Sequence, residues 1–510
     1  MVFNSVIFLT LFIIFSFLYH ISSRYFKLLL LLLFNVYFYI MAMGERFYVL
    51  FITAFFVYLG GIIIERIRYK TISDVNQINN LNDNLNDNSN NDSNNVSKII
   101  LNKSSKNTYK VISKNDYKVI SKITLLIFLL SIISILLYFK YYNFVIENIS
   151  FFIKLQKKSL IVPVGISFYT LQCISYLVDI YRGNIKSEKN LIVFLDYLCF
   201  FGTILSGPIT RASDFIPSLK SEYKFSVENT YTGMTYVLFG LFKKIMIADR
   251  LSPFVDSVFG NPYGYSLWPT AFATFFYAVQ LYADFSGYSS MAVGFSKILN
   301  IDIINNFEYP YFSKSVKEFW KRWHISLSSF LRDYIYIPLG GGRVGDFRRF
   351  LNSMIVFLVS GIWHGANFTF IFWGFLHGLY INLENILYKN ISFLNKDTKV
   401  VKLIRTVITF ILVDVAWVFF RADNIRSAFH IIKSSFIYDV GTKTSVLSIV
   451  NVNQFIFMIL LIAFLFLYEY LFFKGYESFK PISYSVNIIM IILLVFLGTV
   501  SKGQFIYFKF

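Results

Sequence analysis

Apolar runs separated by short polar breaks recur along almost the whole chain, each about 20 residues long and so able to cross the hydrocarbon layer as a helix. They fall near 3–22, 26–44, 47–64, 123–139, 160–180, 190–208, 231–248, 268–283, two within 351–387, then 402–420, 453–474 and 484–503. The pattern predicts an all-α polytopic membrane protein with about 11–13 transmembrane helices, since only helices satisfy their own backbone in lipid without a closed barrel.

Three stretches depart from it. Residues 71 to about 107 hold an Asn, Asp and Ser tract, NQINNLNDNLNDNSNNDSNN, too polar to offset the entropy of ordering, and are expected to be a disordered loop. The chain is therefore divided into N-terminal transmembrane helices at 1–65, an Asn-rich loop at 66–122 and a membrane body at 123–510, with a catalytic region at 308–387. In the second stretch, Lys314 to Arg343, Trp320, Trp323, His324, Leu327, Phe330, Leu331 and Tyr334 recur at helical spacing, while Lys314, Lys317, Glu318, Lys321 and Arg322 crowd the first turns. A helix of that asymmetry is expected to start at the interface and dip inward, ending at Pro338 and Gly340, Gly341 and Gly342. The third, Leu351 to Ile386, is nearly uncharged; as one helix its roughly 36 residues would measure about 54 Å, longer than a bilayer of about 40–45 Å. A break is expected at GIWHGAN, where Gly361 and Gly365 flank His364.

Composition confirms the class: 56% of the 510 residues are hydrophobic and 15% are charged, more apolar surface than a soluble core can hide. Lys and Arg number 48 against 29 Asp and Glu, a net charge of +19. In a membrane protein that excess reflects basic loops on an anionic inner leaflet and implies no nucleic-acid partner. Arg24, Lys27, Arg66, Arg68 and Lys70 weight alternate loops and predict the amino terminus outside. The first run has no basic region before it and no cleavage site, so a retained helix is expected. Cys173 and Cys199 fall in apolar runs and read as small buried hydrophobes, without disulfide or metal spacing. Lys243 and Lys244 are expected to snorkel at the inner interface.

An ionisable side chain inside a membrane segment is costly, so His364 at a helix break is the leading site candidate. His324 is the second, although a Trp-His pair at a helix entry also suits an interfacial anchor. His377 is read as packing on another helix face, and His20 and His430 carry no signal. An imidazole, with a reference pKa of about 6.5, can take a proton from an alcohol as a thioester carbonyl is attacked. Neither a cysteine nor a nucleophile-elbow serine lies near either histidine in sequence, which favours direct transfer over a covalent enzyme intermediate.

The residues carry a resemblance. WKRWHISLSSFLRDYIYIPLGGGR, with GIWHGANFTFIFWGFLHGLY following it, closely resembles the membrane-bound O-acyltransferases, within them the bacterial alginate O-acetyltransferase branch. The likeness extends through PVGISFYTLQCISYLVDIYRG (163–183), GPITRASDFIPSL (207–219), GLFKKIMIADRL (240–251), YADFSGYSSMAVG (282–294) and the opening MVFNSVIFL. It implies a ring of helices around a thin centre with funnels open to both faces, His364 as catalytic and His324 as its partner. It also implies a cytosolic acyl thioester donor (acetyl-CoA or an acyl carrier protein), no tightly bound cofactor and no metal. The further implications are an exported polysaccharide acceptor, an SGNH-type extracytoplasmic partner, and a bacterial cytoplasmic membrane location.

Trp320, Trp323 and Trp363 are candidates for the tunnel wall, with core packing the alternative. Asp284, Ser286, Arg332 and Asp333 either line the funnel or pair with each other, and Asn367, beside the break, is a further tunnel candidate. Arg211 is a donor-phosphate candidate or an interfacial cap. Acetyl transfer is the leading activity. D-alanyl transfer to teichoic acid is the close variant, and a transporter is the alternative of another class, disfavoured because no paired broken segments occur in the two halves.

Overall fold

The computed structural model describes residues 2–86, 114–149, 156–221, 225–473, 480–498 and 505–506. Among them the elements are helical, and the one extended pairing is an isolated bridge between Tyr265 and Lys443. Helices α1 (Val6–Ile21), α2 (Arg24–Met43) and α3 (Tyr48–Asn86) open the chain. Helix α4 (Lys114–Leu136) passes through a π-helical turn at Leu137–Tyr141 into α5 (Tyr142–Ile149), and α6 (Ile166–Arg182), α7 (Leu191–Cys199) and α8 (Ala212–Lys220) follow. Helix α9 (Val227–Leu241) continues through a second π-helical stretch, Phe242–Ala248, into α10 (Asp249–Gly260) and α11 (Trp268–Ile298). The remainder comprises α12 (Val316–Arg322), α13 (Ile325–Leu331), α14 (Asp346–His364), α15 (Phe368–Asn390), α16 (Lys399–Arg421), α17 (Ile425–Ser434), α18 (Val452–Phe473) and α19 (Lys480–Leu497).

Five of the described helical segments are long and apolar enough to cross a membrane: Arg24–Met43, Tyr48–Arg68, Lys118–Ile149, Lys399–Arg421 and Val452–Leu471. The protein is thus an all-α, multi-pass membrane protein. Helix α11, at 31 residues, is longer than four of the five, yet its sequence is less apolar, because it is sheathed by protein and carries buried Gln280, Asp284, Ser286 and Ser289. A helix surrounded by other helices can keep polar groups that lipid would exclude. Its first half belongs to a core with α10, α12, α16 and α18, and its second half to a core with α1, α2, α6 and α7. One helix therefore ties the two cores together.

The structure departs from the sequence reading in four places. Helix α7 ends at Cys199 and the chain turns through 200–210, so the run at 190–208 is no full span. Helix α3 continues to Asn86, into the segment read as a loop; extending a formed helix adds one hydrogen bond per residue fixed, whereas starting one is costly. The rest of that tract, 87–113, lies outside the described residues. The dipping helix of Lys314 to Arg343 is two helices, parted at Trp323 and His324. Lys243 and Lys244 do not snorkel: the π-helical stretch turns them inward, where they are 4% and 2% exposed.

Candidate active site

The long apolar run breaks at His364, the last residue of α14. Gly365 is extended, and the side chain of Asn367 caps α15, its Oδ1 accepting from the amide of Thr369 at 3.0 Å. The outcome is an antiparallel hairpin. Gly361 and Gly374 allow it: a Cβ on Gly361 would lie 2.3 Å from the carbonyl oxygen of Phe370, and one on Gly374 would lie 2.3 Å from that of Phe357. Only backbones free of side chains approach so closely.

A helix ending within protein leaves carbonyls to be satisfied. Here Lys140 does so, its Nζ donating to the carbonyl oxygens of Trp363 (2.7 Å) and His364 (2.9 Å) and to Ser167 Oγ (3.1 Å). The Tyr141 hydroxyl donates to the carbonyl of Ile362, and Trp363 Nε1 donates to that of Ser167 at 3.1 Å. A cation at a helix C-terminus also complements the helix dipole. Sequence reasoning passed over Lys140, which sits beside a predicted span in FKYY, where an interfacial anchor is the default reading.

His324 lies at a second break. It holds a left-handed backbone, φ 45° and ψ 55°, as the N-cap of α13. Asn306 supports the turn: its carbonyl accepts from the amide of Ile325 and its Oδ1 from that of Ser326, both at 3.0 Å. Helical spacing could not reveal this, because side chains on either side keep the same period.

Both imidazoles are buried, 0% exposed for His324 and 3% for His364. Trp363 lies between them, its ring 6.1 Å from that of His324 and 4.9 Å from that of His364. Phe285 stands 4.8 Å from His324, and Trp373 and Phe420 stand 4.9 Å and 5.0 Å from His364. His377 joins the same cluster: Trp320 Nε1 donates to its Nδ1 at 3.2 Å, and Trp373 lies 4.9 Å from it. The hairpin folds His377 back toward His364, so a reading by helix face along one continuous axis misplaced it. Trp323 packs against Trp417 at 4.9 Å and Phe307 at 5.0 Å, a core position.

Of the cavities that approach this cluster, two lie at opposite ends of the hairpin. One, of about 920 Å³, is lined near the hairpin's open end by Trp320, Arg349, Phe357 and Asn385, and includes Arg332. Its charged lining is Lys317, Lys321, Arg332 and Arg349, with no carboxylate. The other, of about 550 Å³, surrounds the hairpin turn and is lined by Asn367, Phe370, Phe420 and Asp284. Neither histidine forms part of either wall. Trp320, His377 and Trp373 separate His364 from the first cavity, and Phe420 separates it from the second.

The other candidates disperse. Asp333 takes ion pairs from Arg332 and Arg211, each at 2.6 Å. Burial favours its protonated form, yet hydrogen bonds from Arg332 and Arg211 hold its carboxyl below the ordinary value. Arg211 is thereby engaged with protein. Asp284 accepts from Lys244 at 2.7 Å and from the amide of Ile506 at 2.7 Å.

The motifs that build this arrangement have counterparts elsewhere. The chain is 39% identical over 312 residues to a probable alginate O-acetylase AlgI of Pseudomonas aeruginosa, covering 60% of this chain and 58% of that protein. It is 37% identical over 340 residues to a peptidoglycan O-acetyltransferase of Helicobacter pylori, covering 61% and 64%. To a teichoic acid D-alanyltransferase of Bacillus subtilis it is 29% identical over 262 residues, covering 45% and 61%. The chain spans 58% to 61% of the length of three alginate O-acetylases that it matches. A family model matches residues 122–421, a segment that holds both helix breaks and both cavities' principal walls; the chain belongs to the MBOAT, or membrane-bound O-acyltransferase, family.

Proposed function

We propose that this protein transfers an acyl group, acetyl first, from a cytosolic thioester toward a hydroxyl of an exported polysaccharide, or of a partner protein that completes the delivery, with His364 as general base. The observation that carries the reading is the position of His364 at a helix break between two cavities of opposite character. The cavity of four cations suits an anionic donor, as a phosphate-bearing thioester would be. It lies on the face shared by Arg182 and Arg211, both bonded to Asp333. By the excess of basic residues that face is cytosolic and the amino terminus lies outside. The membrane is then the bacterial cytoplasmic membrane.

In the reaction the acceptor hydroxyl loses its proton to the imidazole as its oxygen attacks the thioester carbonyl. The carbon–sulfur bond breaks, and the leaving thiolate takes the proton back from the imidazolium, which restores the neutral imidazole as the thiol departs toward the basic cavity. A positioned base of this kind contributes about 10² to 10⁴ in rate. His324 orients the centre through Trp363. Because aromatic rings close both approaches, the walls at Trp320 and at Phe420 must both shift for the substrates to meet at His364. An SGNH-type partner outside the membrane completes delivery to the polymer. Acetyl ranks above D-alanyl because the O-acetylating relatives are the more similar ones.

The test is mass analysis of surface polymer from cells carrying His364→Ala. The protein is expected to insert normally and the polymer to lose its esters, with a severe reduction for His324→Ala. Unchanged ester content in the His364 variant would end this reading, and the mass of the ester lost in the wild-type comparison distinguishes acetyl from D-alanyl.

A further inference from the structure

Two indoles pack edge-on against His377, and they are held differently. Trp373 lies 4.9 Å from the imidazole and Trp320 5.1 Å, at interplanar angles of 70° and 84°. Both are buried. Trp373 is fixed by packing alone: among the described residues its Nε1 has no hydrogen-bond partner. Trp320, which forms part of the wall of the basic cavity, donates from Nε1 to His377 Nδ1 at 3.2 Å. An acceptor at Nδ1 makes the imidazole neutral with its proton on Nε2, and Nε2 has no partner among the described residues. The bond from Trp320 is therefore the single polar contact of either ring among the described residues, and it ties a wall residue to one deep in the cluster.

The backbone behind Trp320 is fastened separately. Helix α12 begins at Val316, and the Glu384 carboxylate accepts from the amides of Val316 at 3.0 Å and Lys317 at 3.3 Å. Glu384 lies seven residues beyond His377 on α15, two turns along the same face. One helix of the hairpin thus grips α12 twice: Glu384 holds its first turn, and His377 holds the side chain of Trp320. Side chains change rotamer more readily than clamped helices move. The cavity, of about 920 Å³, has space to receive the indole. The wall at Trp320 accordingly has one movable part, the indole, and one polar bond that keeps it shut.

We propose that His377 is a positioning residue that latches Trp320, and that breaking this hydrogen bond is the step that lets the basic cavity open toward His364. Naming that cavity the donor entrance rests on the acyl-transfer reading above; the latch concerns access and stands apart from it. Packing accounts for the burial of His377 but not for its pairing, since Trp373 is buried in the same cluster with no bond at all. One net hydrogen bond of this kind biases the wall toward its closed position by about two- to tenfold.

The experiment measures access to position 364 without turnover. His364→Cys is made in the full-length protein in lipid nanodiscs, and its modification by an anionic methanethiosulfonate, the ethylsulfonate, is followed by mass; the parent protein gives the background of the buried Cys173 and Cys199. Adding Trp320→Phe is expected to speed modification about two- to tenfold, and adding His377→Leu by the same factor. The two together are expected to be no faster than either alone, because both remove one bond. His377→Gln, whose amide oxygen accepts from the indole N–H, is expected to keep the slow rate. The anionic reagent is expected to outpace a cationic methanethiosulfonate of similar size, because Lys317, Lys321, Arg332 and Arg349 line the approach. Trp320→Phe leaves an aromatic ring in the wall and decides the matter where His377→Leu does not fold. The proposal is overturned by an unchanged rate in Trp320→Phe, by single effects that multiply in the pair, by His377→Gln as fast as His377→Leu, by a faster cationic reagent, or by His364→Cys reacting at the rate of an exposed thiol. No acyl transfer is needed, so a failed transfer assay and a failed labelling series report on different claims.

Discussion

Lys140 shows how one side chain can determine the geometry of a site it does not visibly occupy. Its ammonium group satisfies two carbonyls at the end of α14, one of them that of His364 itself. Lys140→Met keeps the length of the side chain and removes the donors. Leaving those buried carbonyls without their charged partner is expected to cost about 1–3 kcal/mol of stability. Transfer is expected to fall with it, because the imbalance lies at the residue that holds the imidazole. Thermal unfolding in detergent and ester content in cells check the two halves, and Lys140→Arg should recover both in part. A variant as stable as the parent would show that water takes over the role.

At the scale of elements, the centre is built from two helix ends. His364 closes α14 and His324 opens α13, so each imidazole projects from a place where the helix ladder stops. The α14–α15 hairpin is the more demanding of the two, since its helices meet with the Gly361 Cα and the Phe370 carbonyl nearly in contact. Gly361→Leu is expected to force the helices apart, at a cost of about 1–3 kcal/mol as overpacked cores show. Displacing His364 should lower the catalytic rate more than donor affinity, because the basic cavity lies at the other end of the hairpin. Steady-state kinetics on reconstituted protein would separate the two, and a change in donor KM alone would contradict the argument. The break itself was legible, because a run too long for a bilayer has to bend. That it bends into a hairpin was not, since the close approach of Gly361 and Gly374 involves residues distant in sequence.

For the whole molecule, the two cavities divide the charge. The one lined by Lys317, Lys321, Arg332 and Arg349 is expected to make donor binding weaken with ionic strength, as exposed charges are screened within about 8–10 Å at physiological salt. Donor KM should rise with salt, and Lys321→Glu with Arg349→Glu should raise it further while leaving kcat nearly intact. A salt-independent KM would argue against this entrance. The class of the protein and the helix break at His364 were legible from the chain alone, because lipid imposes a length and an apolarity on every span and makes an imidazole within one conspicuous. The tertiary structure alone decided the inward turn of Lys244, the left-handed break at His324, the capping by Lys140 and the return of His377 to the centre. Each depends on a contact between distant segments or on a local backbone reversal, and neither leaves a period in the sequence.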